Sequence, residues 1–234
     1  LAAHACAQEG HEFHIYSTKR KSPIHGAQYL HLPIPGINEE TSPDGMVVYD
    51  KIGNRDTYAK KVYGRSDVTV SWDFFDIGMR PAWSMQRAYD WLWDRYAEKV
   101  EHLVLGPSDI SRMLPLYDLC ISAIPAPAVC MNRAHSFHHT SIYITEGLPD
   151  GELPMNTIVY NGREDDDWYR ACNLFGYKFT EFGYKQRHAI RGKKPISTDC
   201  NCHGSKLLRV GRWGRWERGT LAHDGYVRTM AALL

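Results

Sequence analysis

Near its end the chain carries an apolar run, Leu207, Leu208 and Val210, that stops at Gly211, Gly214 and Gly219 with Arg212, Arg215 and Arg218 set between them. Helical spacing follows from Leu221 to Leu234. A strand that halts at glycines ahead of a helix brings bare backbone N–H groups and a positive dipole end close to a ligand. Guanidinium groups reinforce the preference for anions, because they grip phosphate oxygens bidentately. The same residues also fit a glycine turn with a solvated basic face.

The 234 residues suit one large domain or a two-lobed one, and 43% hydrophobic with 24% charged content excludes a disordered or fibrous chain. Lys+Arg 28 against Asp+Glu 27 leaves a net charge of +1, so no global field points to nucleic acid or an anionic membrane. Six cysteines, at 6, 120, 130, 172, 200 and 202, are too sparse and irregular for a disulfide scaffold. With no signal peptide or long apolar span, the expectation is a cytoplasmic, reducing compartment.

The chain opens at Leu1 already inside a helical pattern that Gly10 ends, and strand-like alternation follows from Glu12 to Ser17. Helix, Gly-His and strand make the second half of a βαβ opening, so a first strand and glycine turn are expected upstream. The end of the second strand is where dinucleotide-binding folds carry an acid for a ribose hydroxyl. Here it offers Ser17 and Thr18, then Lys19, Arg20 and Lys21. A hydroxyl still bonds a ribose, and three cations suit a phosphate, leaving NADP or an unusual FAD contact open beside a solvated charged loop.

Farther on, Gly26 and Ala27 are small enough to let the main chain approach a ligand, and Gln28 is placed to meet a ring edge or a sugar. Residues 36 to 54 read as a turn and a short hairpin without chemistry. Rings crowd the segment from Tyr58 to Val100, with helical spacing from Pro81 to His102, a pattern that fits core packing. Leu119 to Ile124 is a continuous apolar run with one hydroxyl, Ser122, that Pro125 halts, as in a strand buried on both faces. Ligands in open α/β sheets bind outside the carboxyl ends of strands, which makes Ser122 to Pro127, with Ala123 and Pro125, a candidate cofactor wall.

From residue 131 to 204 strand patterns follow one another without intervening helices, as in an antiparallel substrate lobe, and Lys185 to Lys194 reads as a solvated connection. Tyr160, Asn161, Tyr169 and Arg170 fall on two adjacent strands of that lobe and form the candidate substrate set, with Arg170 as anion holder. Outward-facing and packing roles fit the same four residues. Metal ligand types occur at Cys200, Cys202 and His203 and at His135, His138 and His139. C-x-C-H is not the usual finger spacing and no C-x-x-C exists, so no metal is expected. Cys120 lies in a buried-strand pattern and reads as inert.

Three segments carry a family resemblance: Gly10 to Ser17, Tyr117 to Pro125, and Val210-Gly-Arg-Trp-Gly-Arg-Trp216. In this order they resemble the FAD/NAD(P)-binding oxidoreductases, nearest in style to the UDP-galactopyranose mutase, protoporphyrinogen oxidase and amine oxidase group. Some phage-encoded flavoproteins look similar. The resemblance implies an α/β fold with a Rossmann-like lobe, its first strand truncated, built from residues 1–35, 100–130 and 205–234. It implies a helical, aromatic insertion at 36–99 and an antiparallel lobe at 131–204. A dinucleotide would lie extended across the first lobe, with Gly211, Arg212, Trp213 and Gly214 near the pyrophosphate or flavin and Gly26 to Gln28 toward the isoalloxazine. The expected function is that of a FAD-dependent oxidoreductase-like flavoprotein acting on a small polar or nucleotide-type substrate. A non-catalytic dinucleotide-binding module and a zinc-supported nucleic-acid-binding protein are the alternatives. The glycine fingerprint is absent from these residues, Ser17 stands where an acid is expected, and no general base is assigned.

Overall fold

A computed structural model of the chain describes residues 1–18, 24–38, 41–68, 70, 78–149 and 151–234. Lys19 and the aromatic residues Trp72, Phe74 and Phe75 lie outside the described residues. In chain order the elements are α1 (Ala2–Gln8), β1 (Ile15–Ser17), β2 (Gly45–Gly53), α2 (Arg55–Tyr63), β3 (Met79–Ala82), α3 (Met85–Tyr96), β4 (Val100–His102), α4 (Pro107–Met113) and β5 (Cys120–Ser122). Then come α5 (Ala126–Val129), β6 (Phe137–Glu146), β7 (Thr157–Gly162), β8 (Trp168–Leu174), β9 (Tyr177–Phe182), β10 (Ile190–Thr198), β11 (Leu207–Arg209), α6 (Gly211–Arg215) and α7 (Asp224–Leu233). The fold is mixed α/β, with a seven-stranded sheet ordered β10-β6-β9-β8-β7-β2-β3 and two two-stranded sheets, β1-β4 and β11-β5.

The chain divides into two units. One comprises Leu1–Ser22, Gln86–His139 and Pro195–Leu234, the other Pro23–Met85 and Thr140–Lys194. The expected division set residues 36–99 apart as an insertion. Instead β2, α2 and β3 join the large sheet, whereas α3 beyond Met85 and β4 go with the other unit.

In the first unit both two-stranded sheets are parallel. Ile15 to Ser17 align with Val100 to His102, and Leu207 to Arg209 with Cys120 to Ser122. Small buried residues let α1 sit close to its neighbours, with Ala5 and Cys6 inside and His4 turned to α3. There His4 Nδ1 meets the Tyr96 hydroxyl at 2.9 Å and the His4 ring stands edge-on to Trp91. Tyr226 of α7 donates to Gln8 at the end of α1. A small apolar core of Ile110, Val129 and Leu207, with Cys120 and Ile124 against it, fixes β5 and β11 to α4 and α5.

The second unit is built on the large sheet. Asn54 caps α2 by accepting the Thr57 N–H, and Tyr58, Ala59 and Val62 form the buried face of this helix. Tyr58 and Val62 share a core with Val47, Ile158, Tyr160, Tyr169, Leu174 and Phe179. Where β2 and β7 end together, a Cβ on Gly162 would stand 1.9 Å from the Asn54 carbonyl oxygen, so only glycine lets the two strands run side by side into α2.

Four expectations need correcting. The excursion at 36 to 54 is no hairpin, because β2 pairs parallel with β7 and antiparallel with β3; the sheet is therefore mixed rather than antiparallel throughout. Pro81 does not open a helix but sits in β3, the terminal strand of the sheet order, where a missing N–H is tolerated. The basic stretch before residue 195 is not a connection, since Ile190–Thr198 forms β10 with Arg191 and Lys193 turned outward. At the chain end, the glycine-arginine segment is itself helical from Gly211 rather than an open turn.

Candidate metal centre and the expected cofactor residues

Cys130, His135, Cys200 and Cys202 converge in the first unit, with their ligand atoms all within 4.8 Å of one another. Each arrives from a loop. Cys130 follows α5, His135 lies in the turn before β6, and Cys200 and Cys202 fill the link from β10 to β11. The Sγ atoms of Cys130 and Cys202 are 3.7 Å apart, and His135 Nδ1 lies 3.2 Å from the first and 3.6 Å from the second.

Hydrogen bonds between the loops hold this geometry. The Ser136 N–H donates to Asp199 at 2.7 Å, Thr198 Oγ1 donates to the Ser136 carbonyl at 2.8 Å, and the Cys200 N–H donates back to that hydroxyl. Arg209 of β11 donates to the carbonyls of Cys200 and Cys202 and to Cys200 Sγ at 3.2 Å. Burial pushes the Cys130 thiol up to about 11, with the neighbouring thiols adding to the rise. Burial acts on Cys202 in the same sense, but hydrogen bonds from the Met131 backbone, the Cys130 thiol and the Asn132 backbone outweigh it and bring that thiol down to about 7.

The expectation of no metal rested on spacing, whereas the structure brings four ligand-type side chains together. Of the C-x-C-H run only the two cysteines enter the cluster; His203 turns away and its Nε2 lies 3.0 Å from the Val129 carbonyl. Of the three histidines only His135 enters. The missing partner, Cys130, stands alone in the sequence, seventy residues before Cys200, and spacing rules have no means of pairing it.

The expected cofactor residues fall into two groups. In the first unit, parallel pairing sets the carboxyl ends of β5 and β11 side by side, so that exposed Ala123 and Pro125 follow one strand and Gly211 to Gly214 follow the other. A Cβ on Gly214 would stand 2.5 Å from the Ser122 carbonyl oxygen. Trp213 is 47% exposed. The Gly211 N–H is engaged by the Asp224 carboxylate at 2.8 Å, and Arg215 pairs with the same carboxylate at 3.0 Å. Ser17 and Thr18 end β1, where their carbonyls accept from the Leu103 N–H and face His102 Nδ1.

In the second unit, Gly26 and Ala27 lie against Glu181, the Ala27 N–H donating to Oε1 at 3.3 Å, while Gln28 closes its own loop on the His25 carbonyl. Glu181 is buried, ion-paired with Arg170 at 2.5 Å, and accepts the Tyr169 hydroxyl at 2.8 Å. Tyr160 is the cross-strand partner of Arg170, and burial pushes its phenol up to about 12. Three of the four expected substrate residues thus belong to one buried polar group around Glu181, which sequence reading did not single out. Asn161 stands apart: it donates to Asp166 and accepts the Arg163 N–H, shaping the turn after β7. No helix among the described residues is long and apolar enough to cross a membrane. No family model matches the chain, and no curated protein matches it.

Proposed function

We propose that the chain is a FAD-dependent oxidoreductase-like flavoprotein, with its first unit a Rossmann-like dinucleotide-binding lobe. The observation that carries this reading is the parallel register of β5 and β11, which aligns Ser122 with Arg209. It brings Ala123 and Pro125 to the same strand ends as Gly211, Arg212, Trp213 and Gly214, where α/β sheets bind their ligands. Ala123, Pro125 and Trp213 are exposed there, and the close approach of Gly214 to Ser122 leaves no room for a side chain between the segments. Asp224 already satisfies the Gly211 N–H, so Arg212 is the group assigned to the anionic part of the dinucleotide and Trp213 the ring assigned to its aromatic part. Bound flavin would supply the hydride chemistry, and the protein its binding and orientation. The reading includes a small polar or nucleotide-type substrate and a cytoplasmic setting, with NADP as the other dinucleotide the basic residues after Ser17 suit.

The test is the absorption spectrum of the purified chain before and after incubation with FAD. A protein-bound flavin spectrum that bleaches anaerobically with NADPH and returns with oxygen is the expected result. Bound flavin that no donor reduces would favour a non-catalytic binding module, and the absence of any flavin uptake would overturn the reading.

A further inference from the structure

We infer that Cys130, His135, Cys200 and Cys202 form a closed tetrahedral zinc site that fastens the loop after α5 to the loop before β11. Zinc takes thiolate sulfur at about 2.3 Å and imidazole nitrogen at about 2.0–2.1 Å, so a tetrahedron of such ligands holds sulfur atoms about 3.8 Å apart and sulfur and nitrogen about 3.6 Å apart. The cluster has 3.7 Å between Cys130 and Cys202 and 3.6 Å between Cys202 and His135 Nδ1, while the 3.2 Å between Cys130 and His135 Nδ1 would open by about 0.4 Å in an ideal tetrahedron. Three cysteines with one histidine is an established structural zinc set, and imidazole in the set disfavours an iron–sulfur cluster.

Charge and second-sphere contacts agree with the assignment. When zinc binds, the three thiols release their protons to solvent and the imidazole ligates through neutral Nδ1. Three thiolates and one dication leave a single net negative charge, and the Arg209 guanidinium that donates to Cys200 Sγ balances it. Arg209 also clamps the carbonyls of Cys200 and Cys202, while the bonds among Ser136, Thr198 and Asp199 join the two loops directly. All four positions are filled by protein, so the ion has no open site for a substrate and acts as a structural clip.

The clip is well placed for such a task. Cys130 directly follows Val129, whose side chain is in the core against Leu207 of β11, so fixing the loops fixes the pairing of β5 with β11. Zinc binding does not depend on the flavin reading. It is judged by metal content, and flavin uptake is a separate measurement.

The experiment is metal analysis of the full chain purified without chelator, followed by cobalt replacement. About one zinc per chain is expected, together with cobalt spectra showing thiolate charge-transfer bands and tetrahedral d–d bands. Cys200→Ser and Cys202→Ser should lose the metal, whereas His138→Ala and Cys120→Ser should retain it. His135→Cys should keep zinc and shift the cobalt spectrum to that of four thiolates, which distinguishes a ligand change from loss of the fold. Arg209→Met should weaken zinc binding about 10- to 100-fold, and Arg209→Lys less. A chain with no zinc that takes up neither zinc nor cobalt would overturn the assignment. Equal metal content in the cysteine variants and the controls would do the same.

Discussion

Arg170 and Glu181 are cross-strand partners on β8 and β9 whose side chains form an ion pair with one Glu181 oxygen at 2.5 Å and the other at 2.7 Å. Burial works against the Glu181 carboxylate, yet Arg170, then Lys194, and the Tyr169 hydroxyl bond hold its pKa below the usual value of 4.5. The Arg170 guanidinium is correspondingly held charged. Removing one partner strands the other charge inside, so Glu181→Gln and Arg170→Met should each cost about 3–5 kcal/mol in urea unfolding at neutral pH. Because the folded-state pKa lies below the unfolded one, the stabilisation is complete above about pH 5 and is lost as the pH falls through the folded value. The gap between wild type and Glu181→Gln should therefore narrow in acid; a gap constant down to the acid limit would show that the pair does not account for it.

The two glycines of α6 should respond differently to alanine. Gly214 has the Ser122 carbonyl oxygen 2.5 Å from where a Cβ would lie, with backbone on every near side, so Gly214→Ala forces β5 and α6 apart. Its cost should be about 1–3 kcal/mol, as for an overpacked core. Gly211 has open space but a φ of +68°, so Gly211→Ala should cost about 1–2 kcal/mol through backbone strain alone. Thermal unfolding of both variants measures these costs. Only Gly214→Ala should also disturb the environment of Trp216, the buried residue that ends α6, as read by its fluorescence.

The arginines of this helix separate the flavin reading from a purely structural one. Arg215 is tied to Asp224, and Arg218 is exposed with its N–H bonded to the Ile196 carbonyl. Arg212→Ala should weaken FAD retention about 10- to 100-fold, the worth of a charge-assisted hydrogen bond, while Arg218→Ala should change it by less than about twofold. Arg215→Ala should lower the melting temperature more than the flavin affinity. Equal losses of flavin in all three variants would show that no single cation here holds the ligand.

What could be read from sequence and what could not divide along physical lines. The helix before Gly10, the strands β6 to β8 and the run into Gly211 carry their own periodicity and punctuation, so local pattern sufficed. β2 and β10 escaped because glycine, proline and charge break their apolar alternation. In β10 the side chains of Arg191 and Lys193 face outward, and basic residues there made a strand look like a loop. The expected substrate set came close to a buried centre but omitted Glu181, whose partners lie on the adjacent strand rather than nearby in sequence. Cys130 failed for the same reason at longer range, since its partners come from loops distant in sequence that a bond between Ser136 and Asp199 holds together.

Asn161 tests whether the remaining expected substrate residue has a structural role instead. It is fully buried, its amide donates to Asp166 at 2.8 Å, and its carbonyl oxygen accepts the Arg163 N–H at 2.8 Å. Asn161→Ala removes both bonds and leaves the Arg163 N–H without this acceptor, a loss of about 1–3 kcal/mol. Asn161→Asp keeps the acceptor but sets a second carboxylate against Asp166, so it should be at least as destabilising at neutral pH and recover in acid as the carboxylates protonate. Urea unfolding of the two variants at neutral and acidic pH measures this. If both keep wild-type stability and instead lose turnover once a substrate is found, Asn161 is a substrate contact and not the keystone of the β7–β8 turn.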